Sequence, residues 1–141
     1  MLDLTVLILT YNERENIGRT LEALRWADRV LIVDSYSTDD TLQIAGGFPN
    51  VQVVQRPFES FASQCNFGLE QIGTEWVLSI DADYVLTSEL IGEIRGLTDD
   101  AATAGLSSEG QREVSAFGNM MLNLLKEQPA SGDQLLLRGQ R

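Results

Sequence analysis

The chain has 141 residues, 43% hydrophobic and 22% charged, which suits one globular domain and argues against a disordered or collagen-like chain. Its formal net charge of −11 disfavours binding to nucleic acid or to an anionic membrane, because like charges repel. It contains no histidine, which excludes His-based catalytic triads and imidazole-bound zinc.

Short apolar segments alternate with helical patterns along the first part of the chain. The predicted strands span residues 4–10, 29–34, 51–55 and 75–81. The first two are nearly continuous apolar runs, typical of strands covered on both faces. The residues predicted to cap the helices are Asn12, Ser37 or Thr38, Ser60, and Thr87 or Ser88. This βαβαβαβα order predicts an α/β fold, a parallel sheet with helices on both faces.

The sequence gives no sign of export or of a membrane span. No apolar run reaches the ~20 residues needed to cross a bilayer. The first ten residues contain Asp3 and lack a basic start, so they fit a buried strand better than a signal peptide. The single cysteine, Cys65, excludes an internal disulfide framework. We therefore expect a cytoplasmic protein without a transmembrane segment.

The character of the chain changes near residue 99. Residues 1–98 carry the predicted α/β domain, whereas residues 99–141 show no strand that obviously continues the sheet. Val114, Phe117, Met121, and Leu124 or Leu125 recur at helical spacing, which predicts one amphipathic helix at about residues 108–128. We expect a mainly helical tail. Because sheet edges need cover, we also expect either packing by this tail or a homo-oligomer.

Polar residues gather where three of the predicted strands end. Thr10, Tyr11 and Glu13 follow the first strand, Asp34 ends the second, and Asp81 with Asp83 ends the fourth. In parallel sheets, ligands bind beyond the carboxyl ends of the strands, at the point where the strand order reverses. A strand order of 3-2-1-4 brings all three groups of residues to one crevice.

Asp81 and Asp83 are the sharpest of these features. In a fully extended strand their backbones would lie ~6–7 Å apart, which is long for joint chelation, so a bend is expected here. Either one Asp ligates a metal directly and the other acts through water or a ligand hydroxyl, or both converge on the bend. Hard oxygen ligands favour Mg²⁺ or Mn²⁺, and such ions bridge diphosphate oxygens. Alternatively, both carboxylates only accept backbone hydrogen bonds in a turn.

Other polar and aromatic residues allow two interpretations each. Asp34 is either an acceptor for a ribose or base or an ordinary loop acid. Tyr11 is either a stacking platform for a base or a half-buried loop aromatic. Arg56 is either a phosphate contact or a solvated charge. Cys65 lies on the apolar face of a predicted helix and is assigned to the core.

Taken together, these segments resemble the inverting family 2 glycosyltransferases with the GT-A fold. Within that family they are most similar to bacterial enzymes of lipopolysaccharide core and cell-surface glycan assembly. The resemblance covers about residues 3–97, and the segments that carry it are Leu9-Thr10-Tyr11-Asn12-Glu13-Arg14-Glu15-Asn16-Ile17, Val33-Asp34-Ser35-Tyr36-Ser37-Thr38-Asp39-Asp40-Thr41, and residues 61–69 continuing to Trp76-Val77-Leu78-Ser79-Ile80-Asp81-Ala82-Asp83.

The resemblance implies a Rossmann-like GT-A half-domain that binds a nucleotide-diphospho-sugar, often a UDP-sugar, with Mg²⁺ or Mn²⁺. By position, the nucleotide-sugar-binding residues are Thr10, Tyr11, Glu13, Asp34 and Asp81, and the metal-binding residues are Asp81 and Asp83. Asp34 is implied to contact the base or ribose. No catalytic residue is assigned within this chain.

Three positions depart from the residue pattern of this family. Enzymes of the family are also expected to have a second, C-terminal half. Ser35, Cys65 and Tyr84 stand where many relatives carry an Asp, a basic residue and a Glu, respectively. The second half binds the acceptor and supplies a carboxylate base, which residues 99–141 do not obviously contain. We therefore expect a truncated chain that lacks the acceptor half. The alternative is a non-catalytic nucleotide-binding or regulatory module of the same fold.

Overall fold

The computed structural model describes residues 3–97 and the backbone of residues 121–124. The elements in this part of the chain are β1 (Leu4–Thr10), α1 (Ile17–Glu22), β2 (Val30–Asp34), α2 (Thr41–Ala45), β3 (Val51–Gln55), α3 (Phe61–Gln71), β4 (Trp76–Ser79), α4 (Ser88–Arg95) and β5 (Met121–Leu124). The strands form one sheet in the order β3-β2-β1-β4-β5. β1 to β4 are parallel, which confirms the predicted order 3-2-1-4.

Helices cover both faces of the sheet because the strands are apolar on both sides. Val6 and Ile8 of β1 pack in the larger core cluster, which also contains buried residues of α1, α2 and α4. Leu7 points to the opposite face and packs in a smaller cluster with Cys65 and Leu69 of α3. The core therefore lies in two layers, one on each side of β1 and β2. No helix among the described residues is long and apolar enough to cross a membrane.

Two of the predicted helix caps are confirmed and two are wrong. Ser60 Oγ accepts a hydrogen bond from the Ser63 N–H at 3.1 Å, and Thr87 caps α4 in the same way. Asn12 does not cap α1, which begins five residues later, because Asn12 adopts a left-handed backbone with φ of 53°. The residue before α2 is Asp40, whose side chain makes no capping hydrogen bond, rather than Ser37 or Thr38.

The tail helix predicted at about residues 108–128 is wrong over Met121–Leu124, which forms β5 antiparallel to β4. Short apolar runs do not distinguish helix from strand by periodicity alone. The backbone N–H and C=O groups at the free edge of β4 offer partners that a strand satisfies. β5 thus supplies part of the predicted cover for that edge. Val114, Phe117 and the rest of the predicted helix lie outside the described residues.

The side chain of Asp34 ties together the carboxyl ends of three strands. Its carboxylate accepts hydrogen bonds from Thr10 Oγ1 of β1 (2.7 Å), from Gln55 Nε2 of β3 (3.2 Å), and from the N–H and Oγ of Ser37 (2.8 and 2.6 Å). Burial alone raises the pKa of Asp34, but these hydrogen bonds outweigh burial and hold the pKa below its ordinary value. Asp34 is therefore a charged, fully paired junction.

We expect Asp34→Asn to lower the free energy of unfolding at pH 7 by about 2 kcal/mol, because an amide cannot accept all four hydrogen bonds. The lowered pKa means that the carboxylate stabilises the fold above its unfolded pKa of about 3.9 and loses this effect as pH falls through the folded value. The difference between wild type and variant should therefore be full at pH 7 and shrink as the pH falls below about 3.9, as measured by urea unfolding. The exposed Asp28→Asn is the control. Equal stability of Asp34→Asn and wild type at pH 7 would contradict this assignment.

Gly68 lets α3 approach the sheet closely. A Cβ at this position would lie 2.8 Å from Leu7 Cδ1 and 3.1 Å from Val33 Cγ2, both buried. We expect Gly68→Ala to destabilise the protein by about 1 kcal/mol through overpacking. Gly92→Ala in α4 is the control, since no atom lies within 4 Å of its Cβ, and it should stabilise by up to about 1 kcal/mol. Thermal melting curves that shift in the same direction for both variants would argue against this packing.

Candidate functional site

A cavity of about 660 Å³ opens at the carboxyl ends of the parallel strands, where the sequence places the polar residues. Of the predicted site residues, Thr10, Tyr11, Glu13, Asp81 and Asp83 line it together. The other lining residues are Leu9, Ser35, Phe58, Phe61, Cys65, Ser79, Ile80 and Ala82. The structure thus brings the ends of β1 and β4 to one pocket, as the strand order predicts.

Asp34 is the one predicted site residue that does not line the cavity. Its side chain is 0% exposed, and its carboxylate is already engaged by Thr10, Ser37 and Gln55. The contact with a base or ribose implied by the resemblance stays a prediction for Asp34. Its neighbour Ser35 faces the pocket instead.

Asp81 and Asp83 lie on a turn that follows β4. The Tyr84 N–H donates to the Asp81 carbonyl at 3.1 Å, so the chain bends here as predicted. Thr20 Oγ1 of α1 donates to the Ala82 carbonyl at 2.6 Å and so anchors the turn to α1. The bend replaces the extended spacing of the two carboxylates, and both face the same pocket.

The charged side chains that line the pocket in the described part of the chain are all acidic. Burial raises the pKa of Asp81, and the negative charge of Asp83 raises it further. No hydrogen-bond donor in the described part of the chain offsets these two effects at Asp81, in contrast to Asp34. Glu13 adds a third carboxylate, and no Lys or Arg among the described residues lines the cavity. We call Glu13, Asp81 and Asp83 the acidic end; it attracts cations.

The two loops that follow β1 and β2 are hydrogen-bonded to each other. Three successive N–H groups of the first loop donate to side chains of the second: Asn12 to Ser37 Oγ (2.8 Å), Glu13 to Thr41 Oγ1 (2.8 Å) and Arg14 to Asp39 Oδ2 (3.2 Å). In return, the Thr38 N–H donates to Asn12 Oδ1 at 2.7 Å. These amides are therefore occupied and do not form the phosphate-binding loop that dinucleotide-binding folds use.

Sequence reasoning missed the aromatic side of the pocket. Phe58 and Phe61 follow β3, and their rings meet edge to face at 5.7 Å between centroids. Both line the cavity although they are 52% and 62% exposed. We call this pair the aromatic wall. The signal available in the sequence was two large apolar residues in a polar loop at the carboxyl end of a parallel strand.

Arg56 holds the loop that carries the aromatic wall. Its guanidinium donates to Ser63 Oγ (3.3 Å), Gln64 Oε1 (3.2 Å) and Glu59 Oε1 (3.3 Å). The Gln64 amide in turn donates to the Arg56 carbonyl at 2.9 Å. Arg56 is thus neither a solvated charge nor a residue that lines the pocket.

Cys65 lies in the core, as predicted, and also lines the pocket. Burial raises the pKa of its thiol to about 12, so the thiol is protonated and unreactive near neutral pH. An uncharged thiol cannot pair with a phosphate as a basic residue would. The positive charge that a phosphate ligand requires must therefore come from a group other than the side chain at this position of α3.

The acidic end fits a metal that shares its ligands with a bound molecule. No group of three or more Cys, Asp or Glu residues among residues 3–97 and 121–124 forms a complete metal site. Mg²⁺ is commonly held by one or two carboxylates together with substrate phosphates. Asp81 and Asp83 supply two such carboxylates on one turn, and their mutual repulsion favours a bound cation.

Comparison with known proteins agrees with this architecture. An uncharacterised glycosyltransferase of Rickettsia prowazekii is 37% identical over 95 residues, covering 67% of this chain and 32% of the relative. The lipopolysaccharide core biosynthesis glycosyltransferase LpsC of Rhizobium meliloti is 33% identical over 107 residues, covering 70% and 39%, respectively. The chain thus spans about a third of the length of these curated relatives.

Two solved structures share the fold. Residues 1–349 of Staphylococcus aureus TarS in complex with UDP-GlcNAc superpose with a TM-score of 0.58 at 27% identity, covering 78% of this chain and 32% of that TarS fragment. The mannosyltransferase PcManGT of Pyrobaculum calidifontis, in complex with GDP-Man and Mn²⁺, gives 0.58 at 28% identity, covering 69% and 32%. Together with the strand order, these neighbours confirm the Rossmann-like GT-A fold.

The family model "Glycosyl transferase family 2" matches residues 5–123, which include the parallel strands except for Leu4, and all residues that line the pocket. That range is well over half of the chain, and we conclude that the chain belongs to glycosyl transferase family 2.

Proposed function

We propose that this chain binds a nucleotide-diphospho-sugar together with a divalent cation and forms the donor side of an inverting glycosyl transfer. The observation that carries the proposal is the acidic end, in which three carboxylates line one pocket without a cationic side chain among the described residues. An anionic diphosphate does not enter such a site unless a cation lies between them.

Each of the predicted site residues receives a role in this proposal. Asp81 and Asp83 hold the metal, and a bound metal stabilises the charge that develops on the diphosphate leaving group. Thr10, Tyr11 and Glu13 border the nucleotide. Asp34 acts as a positioning residue, because its hydrogen bonds fix the ends of the strands from which the pocket residues project.

The neighbours support the ligand class. One is a complex with UDP-GlcNAc, and another is a complex with GDP-Man and Mn²⁺. The relative LpsC supports an acceptor in lipopolysaccharide core or related surface-glycan assembly. By analogy, we propose that the donor bound by this chain is a UDP-sugar and that its metal cofactor is either Mn²⁺ or Mg²⁺. A cytoplasmic location and a homo-oligomer stay predictions.

The described residues supply a donor site but no evident acceptor base. Asp81 and Asp83 are assigned to the metal, and Oε1 of Glu13 accepts a hydrogen bond from Asn16 Nδ2 at 3.1 Å. Deprotonation of the acceptor hydroxyl therefore needs a carboxylate from outside residues 3–97. Because the described residues show no such base, a non-catalytic nucleotide-binding module is the second candidate function.

We expect UDP to bind to the chain in the presence of Mn²⁺ and not after Mn²⁺ is removed with EDTA, as measured by isothermal titration calorimetry. Asp83→Asn should weaken this binding by more than about tenfold, because it removes a charged metal ligand.

Asp40→Asn is the matched control for charge, since Asp40 is exposed on the same edge of the sheet but does not line the pocket. It should bind UDP as wild type does. Binding that is equally strong without a divalent cation, or equally reduced in both variants, would refute the assigned metal site.

We expect the chain alone to bind a UDP-sugar with Mn²⁺. It should release UDP from the UDP-sugar no faster than Mn²⁺ alone does in solution, because the described pocket lacks a free base. Release of UDP is measured by a coupled assay over hours, with and without oligosaccharide acceptors. Release that depends on Asp83 would show that the chain completes a catalytic site and would exclude the non-catalytic module.

A further inference from the structure

The buried face of α1 contains one polar side chain. Of its three buried residues, Ile17, Thr20 and Leu21, only Thr20 carries a hydroxyl, and it is fully buried. Burying a hydroxyl is unfavourable unless it is hydrogen-bonded, and the hydrogen bond that satisfies it adds little net stability. An apolar side chain of the same shape would pack α1 against the sheet without needing a partner. The partner of Thr20 therefore indicates what the hydroxyl does.

That partner is the backbone of the acidic turn, 62 residues further along the chain. Thr20 Oγ1 donates to the Ala82 carbonyl at 2.6 Å, and Ala82 lies between Asp81 and Asp83. Ala82 is buried and packs in the larger core cluster, whereas both aspartates are exposed. The middle residue of the turn is thus held from inside the fold, while its two neighbours face the pocket.

The same helix is joined to the third carboxylate of the acidic end. The N–H groups of Asn16 and Ile17 both donate to the Glu13 carbonyl, at 2.9 and 2.8 Å. The Thr20 N–H in turn donates to the Asn16 carbonyl at 3.1 Å. A continuous hydrogen-bonded path therefore leads from Glu13 to Thr20. Through its side chain, Thr20 connects this path to the turn that carries Asp81 and Asp83.

Holding this turn in place opposes the repulsion between its carboxylates. Like charges in one pocket lower their energy by moving apart, which an unrestrained turn permits. A cation such as Mg²⁺ requires ligand oxygens at ~2.1 Å, so a small displacement of either carboxylate weakens its binding. A turn that is already fixed in the ligand-free protein avoids the cost of ordering it on binding.

We propose that Thr20 is a positioning residue that holds the turn of Asp81 and Asp83 against α1, and that metal-dependent binding of the diphosphate requires its hydroxyl. The inference rests on the proposed function, because it takes the two aspartates as metal-binding residues. Thr20 does not line the cavity, so it acts through the backbone of Ala82 rather than by touching the ligand.

Two variants at this position separate the hydroxyl from the packing of the side chain. Thr20→Val keeps the shape and removes the hydroxyl; it should weaken the binding of UDP in the presence of Mn²⁺ by about tenfold, as measured by isothermal titration calorimetry. Thr20→Ser keeps the hydroxyl and removes a buried methyl group; it should melt at a lower temperature than wild type but bind UDP as wild type does. A role in packing alone predicts the opposite order of affinities.

Thr74→Val is the matched control. Thr74 is buried, and its Oγ1 donates to the Trp76 carbonyl at 3.0 Å, before and at the start of β4 and thus at the opposite end of this strand from the acidic turn. This variant also loses a buried hydrogen bond from a threonine to a backbone carbonyl. It should be destabilised, as shown by its melting temperature, and bind UDP as wild type does.

A second measurement follows the turn itself without any ligand. The Tyr84 N–H donates to the Asp81 carbonyl within this turn, and its exchange with deuterium is measured by NMR. Exchange at Tyr84 should be about 2- to 10-fold faster in Thr20→Val than in wild type, because the turn opens more often once its hydrogen bond to α1 is lost. Thr20→Ser and Thr74→Val should leave this rate unchanged.

The outcomes separate this inference from the proposed function. If wild type binds UDP with Mn²⁺, but Thr20→Val binds it equally well or loses no more affinity than Thr20→Ser or Thr74→Val, the inference is overturned and the metal-dependent donor site stands. Unchanged exchange at Tyr84 in Thr20→Val overturns it as well. If wild type does not bind UDP with Mn²⁺, the proposed function fails and this inference with it.

Discussion

The carboxylates of Asp81 and Asp83 lie on one turn, close enough that the charge of Asp83 raises the pKa of Asp81. Two like charges in a partly desolvated pocket are an unfavourable arrangement that a fold keeps where a cation is to bind. Asp34, at the end of β2 and two strands away from β4 in the sheet, shows the opposite case. Its charge is balanced by hydrogen bonds from two neighbouring strands and a loop. In the proposed function, this difference distinguishes the metal-binding acids from Asp34, which positions the strand ends.

The rest of the pocket is consistent with this division. The N–H groups of Asn12, Glu13 and Arg14 are used to join two loops, so they do not balance the charge of a phosphate. Arg56 is turned to Ser63 and Gln64, and Cys65 is neutral. In the proposed function, a cation would therefore balance the charge of the diphosphate, and the fold would position it.

The sequence predicted the sheet well because β1 and β2 are buried on both faces, and their apolar runs leave few alternative structures. The strand order followed from the rule that polar strand ends converge on a crevice, and Thr10, Tyr11, Glu13, Asp81 and Asp83 do converge.

Other features depend on contacts between distant residues and were not readable from local patterns. Asn12 has the right residue type for a helix cap, but its amide and side chain are bonded to the following loop, 25 and 26 residues away. Asp34 carries the expected charge, yet its burial and partners decide its role. Met121–Leu124 could have joined a helix, but the open edge of β4 makes it a strand. The aromatic wall emerged only when Phe58 and Phe61 were placed beside the cavity.

The most direct measurement is anomalous diffraction at the manganese absorption edge from crystals of the chain grown with Mn²⁺ and UDP. The account predicts an anomalous peak at the carboxylates of Asp81 and Asp83, with the diphosphate oxygens of UDP completing the coordination of the ion. A diphosphate bound by Arg14 or Arg56 without a metal, or an anomalous peak away from this turn, would contradict it.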